Sequence, residues 1–196
     1  ITMPTELVNN LNKYVDETIL DVGKLEKLDH GSKLAGNVKQ EFKLEKEFIE
    51  KSGLLKFLAF GTSNWIKLSD QKEIKKFEIQ ESWIVRQFKN EYNPIHYHGG
   101  HISGVGYLKT PKNFGEYQQS SKRVNRNGQI VLVHGNRMFN SKATININPI
   151  VGDFYLFPNY LMHTVYPFSG NDDERRSISF NAEIDDEIYN VYSSKE

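Results

Sequence analysis

Cysteine is absent from this chain of 196 residues, and that one absence excludes disulfides, thiolate metal sites and cysteine nucleophiles together. An excess of either charge is missing too. The 25 Lys and Arg balance 25 Asp and Glu, so no platform for nucleic acid is expected, and Lys122-Arg123-Val124-Asn125-Arg126 is the one local basic run. No apolar run approaches membrane length and no signal-peptide pattern is visible, so no membrane partner is expected. The lack of Cys fits a reducing compartment, and a cytoplasmic location is the expectation. Repeats, linkers and low-complexity segments are also missing, which points to a single domain over residues 1–196.

What the chain does have is aromatic bulk, ten Tyr and twelve Phe, enough for a packed interior. Ile1 and Thr2 are left out of the fold reading. Residues 4–22 carry Leu7, Val8, Leu11, Val15 and Ile19 at helical steps, with Thr5 a candidate cap and Gly23 a candidate stop. Residues 29–33 read as a loop, and His30 as an exposed loop histidine. Residues 44–68 read as a second, longer helix that Gly53 and Gly61 could kink or break. The stretch 4–70 is thus expected to be a helical support region. From Phe77 the period changes to that of strands, expected near 77–88, 102–109, 115–119, 130–133, 143–147, 153–157, 162–166 and 175–184. Eight strand signals divided by Gly, Pro and Asn imply a sandwich or barrel, with its core over 77–187. Residues 112–127 and 136–142 are the expected mobile cover of any site.

Three of the six histidines fall in Asn93-Pro94-Ile95-His96-Tyr97-His98-Gly99-Gly100-His101. In extended chain, residues two apart share a face, so His96 and His98 can point at one ion while Tyr97 points away. His163 follows Gly152-Asp153-Phe154-Tyr155-Leu156-Phe157-Pro158 at the expected mouth of a strand. Imidazole suits iron, zinc, copper and nickel, and three ligands leave open positions of the kind a catalytic metal uses. His96, His98 and His163 are therefore the candidate metal ligands, weighed against ordinary loop histidines. His101 is expected to orient a ligand or face the substrate, and His134 to sit in a loop or at the core edge.

The run Asp173-Glu174-Arg175-Arg176-Ser177-Ile178-Ser179-Phe180-Asn181 alternates along a strand. Arg175, Ser177 and Ser179 share one face. An inward arginine is costly unless an anion meets it, and a guanidinium fork matches a carboxylate. The alternative is an outward Arg175 paired with Glu174 or Asp173.

Together these segments resemble the iron(II)- and 2-oxoglutarate-dependent oxygenases, most closely the small prolyl-hydroxylase-like oxygenases of phages and marine bacteria. The shared pattern is His96-Tyr97-His98 with Ser103-Gly104-Val105-Gly106-Tyr107-Leu108, then Gly152 to His163, then Arg175 to Asn181. The resemblance implies a mainly β fold with N-terminal helices: a double-stranded β-helix, or jelly roll, cupin-like and flanked by helices. It implies Fe(2+) on His96, His98 and His163, with 2-oxoglutarate gripped by Arg175 and helped by Ser177 and Tyr107. It implies use of dioxygen to hydroxylate a C–H bond, with a prolyl or other residue of a protein or peptide as substrate. A phage origin would make the expected cytoplasm that of the host. This sequence departs from the wider superfamily at His98, where an Asp is usual. Two alternatives stand beside this reading: a cupin-type metal enzyme that does not use 2-oxoglutarate, and a non-catalytic jelly-roll binding module.

Overall fold

A computed structural model describes residues 1–117, 119 and 121–190. Two helices open the chain, α1 (Thr5–Leu20) and α2 (Val22–Leu28). They divide at Asp21, whose side chain accepts from the Lys24 amide and so starts α2. Gly23, expected to stop the first helix, lies inside the second. A 3-10 turn at Gly31–Lys33 leads to a short strand, β1 (Gln40–Lys43), which lies within the stretch read as helical. Its four residues are too few to show a period. The expected second helix is broken, as α3 (Lys46–Lys51) and α4 (Leu54–Asp70), at Gly53 with φ of 87°. Gly61 stays inside α4.

Eight further strands follow: β2 (Phe77–Gln87), β3 (Asn93–His96), β4 (Ile102–Lys109), β5 (Ile130–Val133), β6 (Thr144–Ile147), β7 (Phe154–Pro158), β8 (Met162–Val165) and β9 (Arg175–Ile184), before a last turn of helix, α5 (Asp186–Tyr189). Strand β3, a Pro-containing tetrapeptide, escaped the periodicity reading. The strand expected over 115–119 does not form among the described residues there, and Gln118 lies outside them. Gly115 has a φ of 80°, and the side chains of Asn113, Asn125 and Asn127 bond to the main chain of this loop, competing with a ladder.

The strands form two antiparallel sheets, ordered β1-β2-β9-β4-β7 and β3-β8-β5-β6. Leaving out the edge strand β1, each sheet has four strands, and the chain alternates between them as a double-stranded β-helix does. The two faces of the larger sheet have separate duties. Ile84, Ile178, Phe180, Leu108 and Phe154 face the helices and join Leu7, Leu11, Leu54 and Leu58 in the main core. Gly104 and Gly106 make room on that face, since a Cβ at Gly104 would lie 2.8 Å from the Phe154 ring and one at Gly106 would overlap it. Val105, Tyr107 and Phe157 face the other way, onto Ile130, Leu132, Ile147 and Val165 of the smaller sheet.

The first residues are part of this fold. The main-chain nitrogen of Ile1 donates to Phe154 O at 3.0 Å, and Met3 is buried. No helix among the described residues is long and apolar enough to cross a membrane.

Candidate active site

Alternation on the larger sheet decides what the space between the sheets contains. Arg175, Ser177, Ser179 and Asn181 of β9 all face inward. Two neighbours extend these positions into cross-strand rows. The first row is Val85–Ser177–Tyr107, the second Trp83–Ser179–Val105 and the third Glu81–Asn181–Ser103. Seven of these nine residues, all but Tyr107 and Ser103, floor a cavity of about 220 Å³, whose other walls include Ile130, Phe157, Val165 and the three histidines.

His96 ends β3 and pairs in register with His163 of β8. His98 follows two residues on, its main-chain nitrogen held by Asn159 O at 2.9 Å. Tyr97 between them is 67% exposed, as the alternation requires. One nitrogen of each of the three rings lies within 4.8 Å of the others.

The hydrogen bonds show which nitrogen that is. His96 Nδ1 lies 2.7 Å from Pro94 O and His163 Nδ1 2.8 Å from Leu161 O, and a carbonyl can only accept. Both rings therefore carry their proton on Nδ1. His98 Nδ1 lies 2.9 Å from Asn181 Oδ1, while Asn181 Nδ2 donates to Glu81 Oε1 at 3.1 Å. The carboxylate fixes the amide, and the amide fixes the imidazole. All three rings are left with a bare Nε2, and those of His98 and His163 face each other at 3.0 Å.

Burial holds all three imidazoles neutral at pH 7. It pushes His163 down to about 3 against the pull of its Leu161 hydrogen bond, and His98 to about 4 against that of Asn181. His96 is lowered by the same cause. Lone pairs converging without a proton are stable when a cation sits among them, so this donor set fits a divalent metal. Trp83 stacks on His98 and Phe157 packs against His163, closing the apolar surround.

Arg175 is the largest fully buried side chain. Its Nε donates to Gly128 O at 3.1 Å and Nη1 reaches Ser177 Oγ at 3.5 Å, but Nη2 has no partner. The guanidinium lies 5.1 Å from the Tyr107 ring, and the Tyr107 hydroxyl is also buried without a partner. Burial lowers the proton affinity of the guanidinium, and neighbouring Tyr107 raises it. A buried cation with an idle donor beside an idle hydroxyl calls for an anion. The pairing with Glu174 weighed for Arg175 belongs instead to Arg176, and it is buried. That side chain bonds Glu174 Oε1 at 2.8 Å and Asp16 Oδ1 at 2.7 Å on the helical side.

Other expectations are corrected here. His30 is 2% exposed, not a surface residue, because β1 draws its turn onto β2 and its Nε2 meets Glu81 Oε2 at 3.1 Å. His101 does not line the cavity; its ring stacks on Tyr189 and its Nδ1 meets the Ile184 main chain. His134 lies in a loop, as expected, and is exposed. None of the described residues of 112–127 or 136–142 lines the cavity, whereas Lys33, Leu34 and Ala35 do. The sequence does not mark Glu81 or Ser103 as site residues, although the two-residue step from Arg175 reaches Asn181.

A model of the family described as "Putative 2OG-Fe(II) oxygenase" matches residues 81–181, 101 of the 196. The chain belongs to this family. This 2-oxoglutarate/iron(II) oxygenase is an enzyme whose cofactor is Fe(2+), whose cosubstrate is 2-oxoglutarate and whose reaction is dioxygen-dependent hydroxylation. The cupin and non-catalytic alternatives lose their ground. No curated protein matches the oxygenase by sequence. Among solved structures it resembles a prolyl-4-hydroxylase from Pseudomonas putida (TM-score 0.56, 15% identity, 92% of this chain and 88% of that one). It also resembles a prolyl hydroxylase from Trichoplax adhaerens in complex with a hypoxia inducible factor oxygen degradation domain peptide fragment (0.56, 16%, 97% and 81%). A third is the viral collagen prolyl hydroxylase of Paramecium Bursaria Chlorella virus-1 in its 2-oxoglutarate complex (0.54, 14%, 89% and 90%). At these identities the likeness is one of fold.

Proposed function

We propose that the oxygenase holds iron(II) through the Nε2 atoms of His96, His98 and His163, and grips the far carboxylate of 2-oxoglutarate with Arg175, Ser177 and Tyr107. Its substrate is a residue of a protein or peptide, a prolyl residue first. The observation that carries the reading is the pairing, in one cavity, of three bare imidazole nitrogens with a buried guanidinium whose Nη2 has no partner.

When bound, iron and cosubstrate supply the oxidising power: dioxygen converts 2-oxoglutarate to succinate and carbon dioxide, one oxygen atom entering succinate and the other the substrate C–H bond. The chain's residues orient and insulate. Pro94 O, Leu161 O and Asn181 Oδ1 keep the Nδ1 protons in place, so that Nε2 faces the ion. Val105, Ile130, Phe157 and Val165 keep water from the space between the ion and Arg175. His98 contributes no charge where an Asp would contribute one. Glu81 stands two hydrogen bonds behind it, through Asn181, and offsets part of that difference. The peptide preference rests on the shared fold with the prolyl hydroxylases.

The test is succinate formation from 2-oxoglutarate by iron-loaded protein under oxygen, with and without proline-containing peptides. Coupled turnover with a hydroxylated peptide is expected. Turnover coupled only to non-peptide substrates would reject the peptide assignment.

A further inference from the structure

The mechanism leaves one buried carboxylate of the cavity unused. Glu41 lies on β1, opposite Val85, in the row that continues to Ser177 and Tyr107. It is 4% exposed and lines the cavity. No hydrogen bond or ion pair among the described residues reaches its carboxylate. Burial, and then repulsion from Asp29, push the group up to about 7. Glu81, the other cavity carboxylate, is fully engaged with His30, Lys43 and Asn181. Lys33 lines the same cavity and makes no ion pair there.

A second atom shares this condition. Asn93 Oδ1 is buried with no donor, and Asn93 also lines the cavity. Both oxygens border the same notch at Gly36: a Cβ there would lie 2.6 Å from Glu41 Oε1 and 3.1 Å from Asn93 Oδ1. Two acceptors without a donor, in a buried corner, are costly unless a ligand brings the donor. The cosubstrate cannot be that ligand, since a dicarboxylate repels Glu41. Two strand spacings, about 10 Å, separate the Glu41 backbone from Ser177, leaving room for a different group.

We propose that Glu41 and Asn93 form a recognition site for a cationic group of the substrate, the ammonium or guanidinium of a lysine or arginine beside the hydroxylated residue. The site rests on the peptide-hydroxylase reading above. An ammonium carries three donors and no acceptor, the complement of a carboxylate and an amide oxygen. Because Gly36 has no side chain, both oxygens can converge beside it.

The test equilibrates holoenzyme, with iron(II) and 2-oxoglutarate but without oxygen, against capped five-residue libraries. Their central residue is lysine, norleucine or glutamate and the other positions are mixed. The lysine library should bind at least tenfold more tightly than the norleucine one, and the glutamate library most weakly. Glu41→Gln, which keeps the side-chain shape, should abolish the preference while leaving 2-oxoglutarate affinity within twofold. Spermidine is the free-amine probe: stronger binding than the lysine peptides, lost in Glu41→Gln, would assign the cation to a small molecule at the same site. Equal binding of the lysine and norleucine libraries, or a preference that survives Glu41→Gln, would overturn the proposal. The 2-oxoglutarate arm answers separately for Arg175, so its failure in the wild-type protein sinks the cosubstrate assignment and not this one.

Discussion

His98 and His163 face each other nitrogen to nitrogen, Nε2 to Nε2 at 3.0 Å, while the Nδ1 of each is tied to an oxygen on its far side. Two lone pairs held that close lack only a cation. Replacing His96, His98 or His163 by Ala should cut iron content below about a tenth and succinate formation at least about a hundredfold. Metal analysis of the purified variants checks this. His98→Asp, which restores the residue usual in the superfamily, should keep iron; its loss would show that the neighbourhood of Asn181 accepts only an imidazole.

Arg175 should matter to the cosubstrate and not to the metal. Arg175→Ala removes one partner of a buried charged contact, worth about 3 kcal/mol or more, so 2-oxoglutarate affinity should fall roughly a hundredfold. Iron content should not change. Arg175→Lys should rescue little, because an ammonium lacks the fork. Titration calorimetry with 2-oxoglutarate and manganese(II) separates the two effects, and equal loss of both ligands would break the assignment.

Asn181 is not itself placed on the metal, yet its Oδ1 sets the proton on His98. Asn181→Leu should weaken iron binding about 10- to 100-fold, with 2-oxoglutarate affinity retained in the metal-loaded protein. An unchanged iron affinity would mean that Ser103 Oγ, 3.0 Å from the same nitrogen, suffices.

Glu174 is the counterpart on the helical side. It is 5% exposed and bonds Arg86 Nε at 2.7 Å and Arg176 Nε at 2.8 Å. Burial raises its proton affinity, but the hydrogen bonds from Arg176 and Arg86 prevail and hold the carboxyl below its ordinary value. Glu174→Ala takes a carboxylate from Arg86 and leaves Arg176 with Asp16, and should cost about 3–5 kcal/mol in denaturant unfolding. The 2-oxoglutarate affinity of the folded fraction should stay as it was, since Arg176, and not Arg175, is its partner.

Glu41 gives a pH signature in the metal-free protein. Its folded value, about 7, lies above the ordinary 4.5. Between those two pH values the folded state holds the proton that the unfolded chain has released, so stability falls as pH rises, and the deficit is complete above about 7. Asp29 acts in the same direction, and Lys33 and Glu81 line the same cavity. Glu41→Gln removes the titration. The variant should match wild type near pH 4.5 and melt higher at pH 8, by about 2–4 °C for each kcal/mol relieved. Equal melting temperatures at pH 8 would contradict the burial of the charge.

Much of the site could be read before folding, for a physical reason. Extended chain repeats its faces at two-residue steps, so His96 with His98, and Arg175 with Ser177, announce a shared face in the sequence itself. His163 was legible from the turn-strand-turn run before it. What stayed hidden depends on pairing across distant strands. His30 reads as a loop residue until β1, four residues long, carries its turn onto Glu81. Nothing in the sequence around Gln40-Glu41-Phe42 singles out Glu41. His101 sits three residues from His98, but the Gly99-Gly100 turn, with Gly100 at a φ of 74°, takes it to Tyr189 instead.

The sequence by itself determined which residue types could ligate a metal and that Arg175, Ser177 and Ser179 share a face; its resemblance to the oxygenases implied the double-stranded β-helix and an inward Arg175. Tertiary structure alone decided which nitrogen of each imidazole is free, which arginine lacks a partner, and which carboxylate is shut into the cavity unpaired. Alternation along a strand is a local property that the chain carries with it. Hydrogen-bond satisfaction is a sum over neighbours that become neighbours only when β1, β2, β9 and β4 lie side by side.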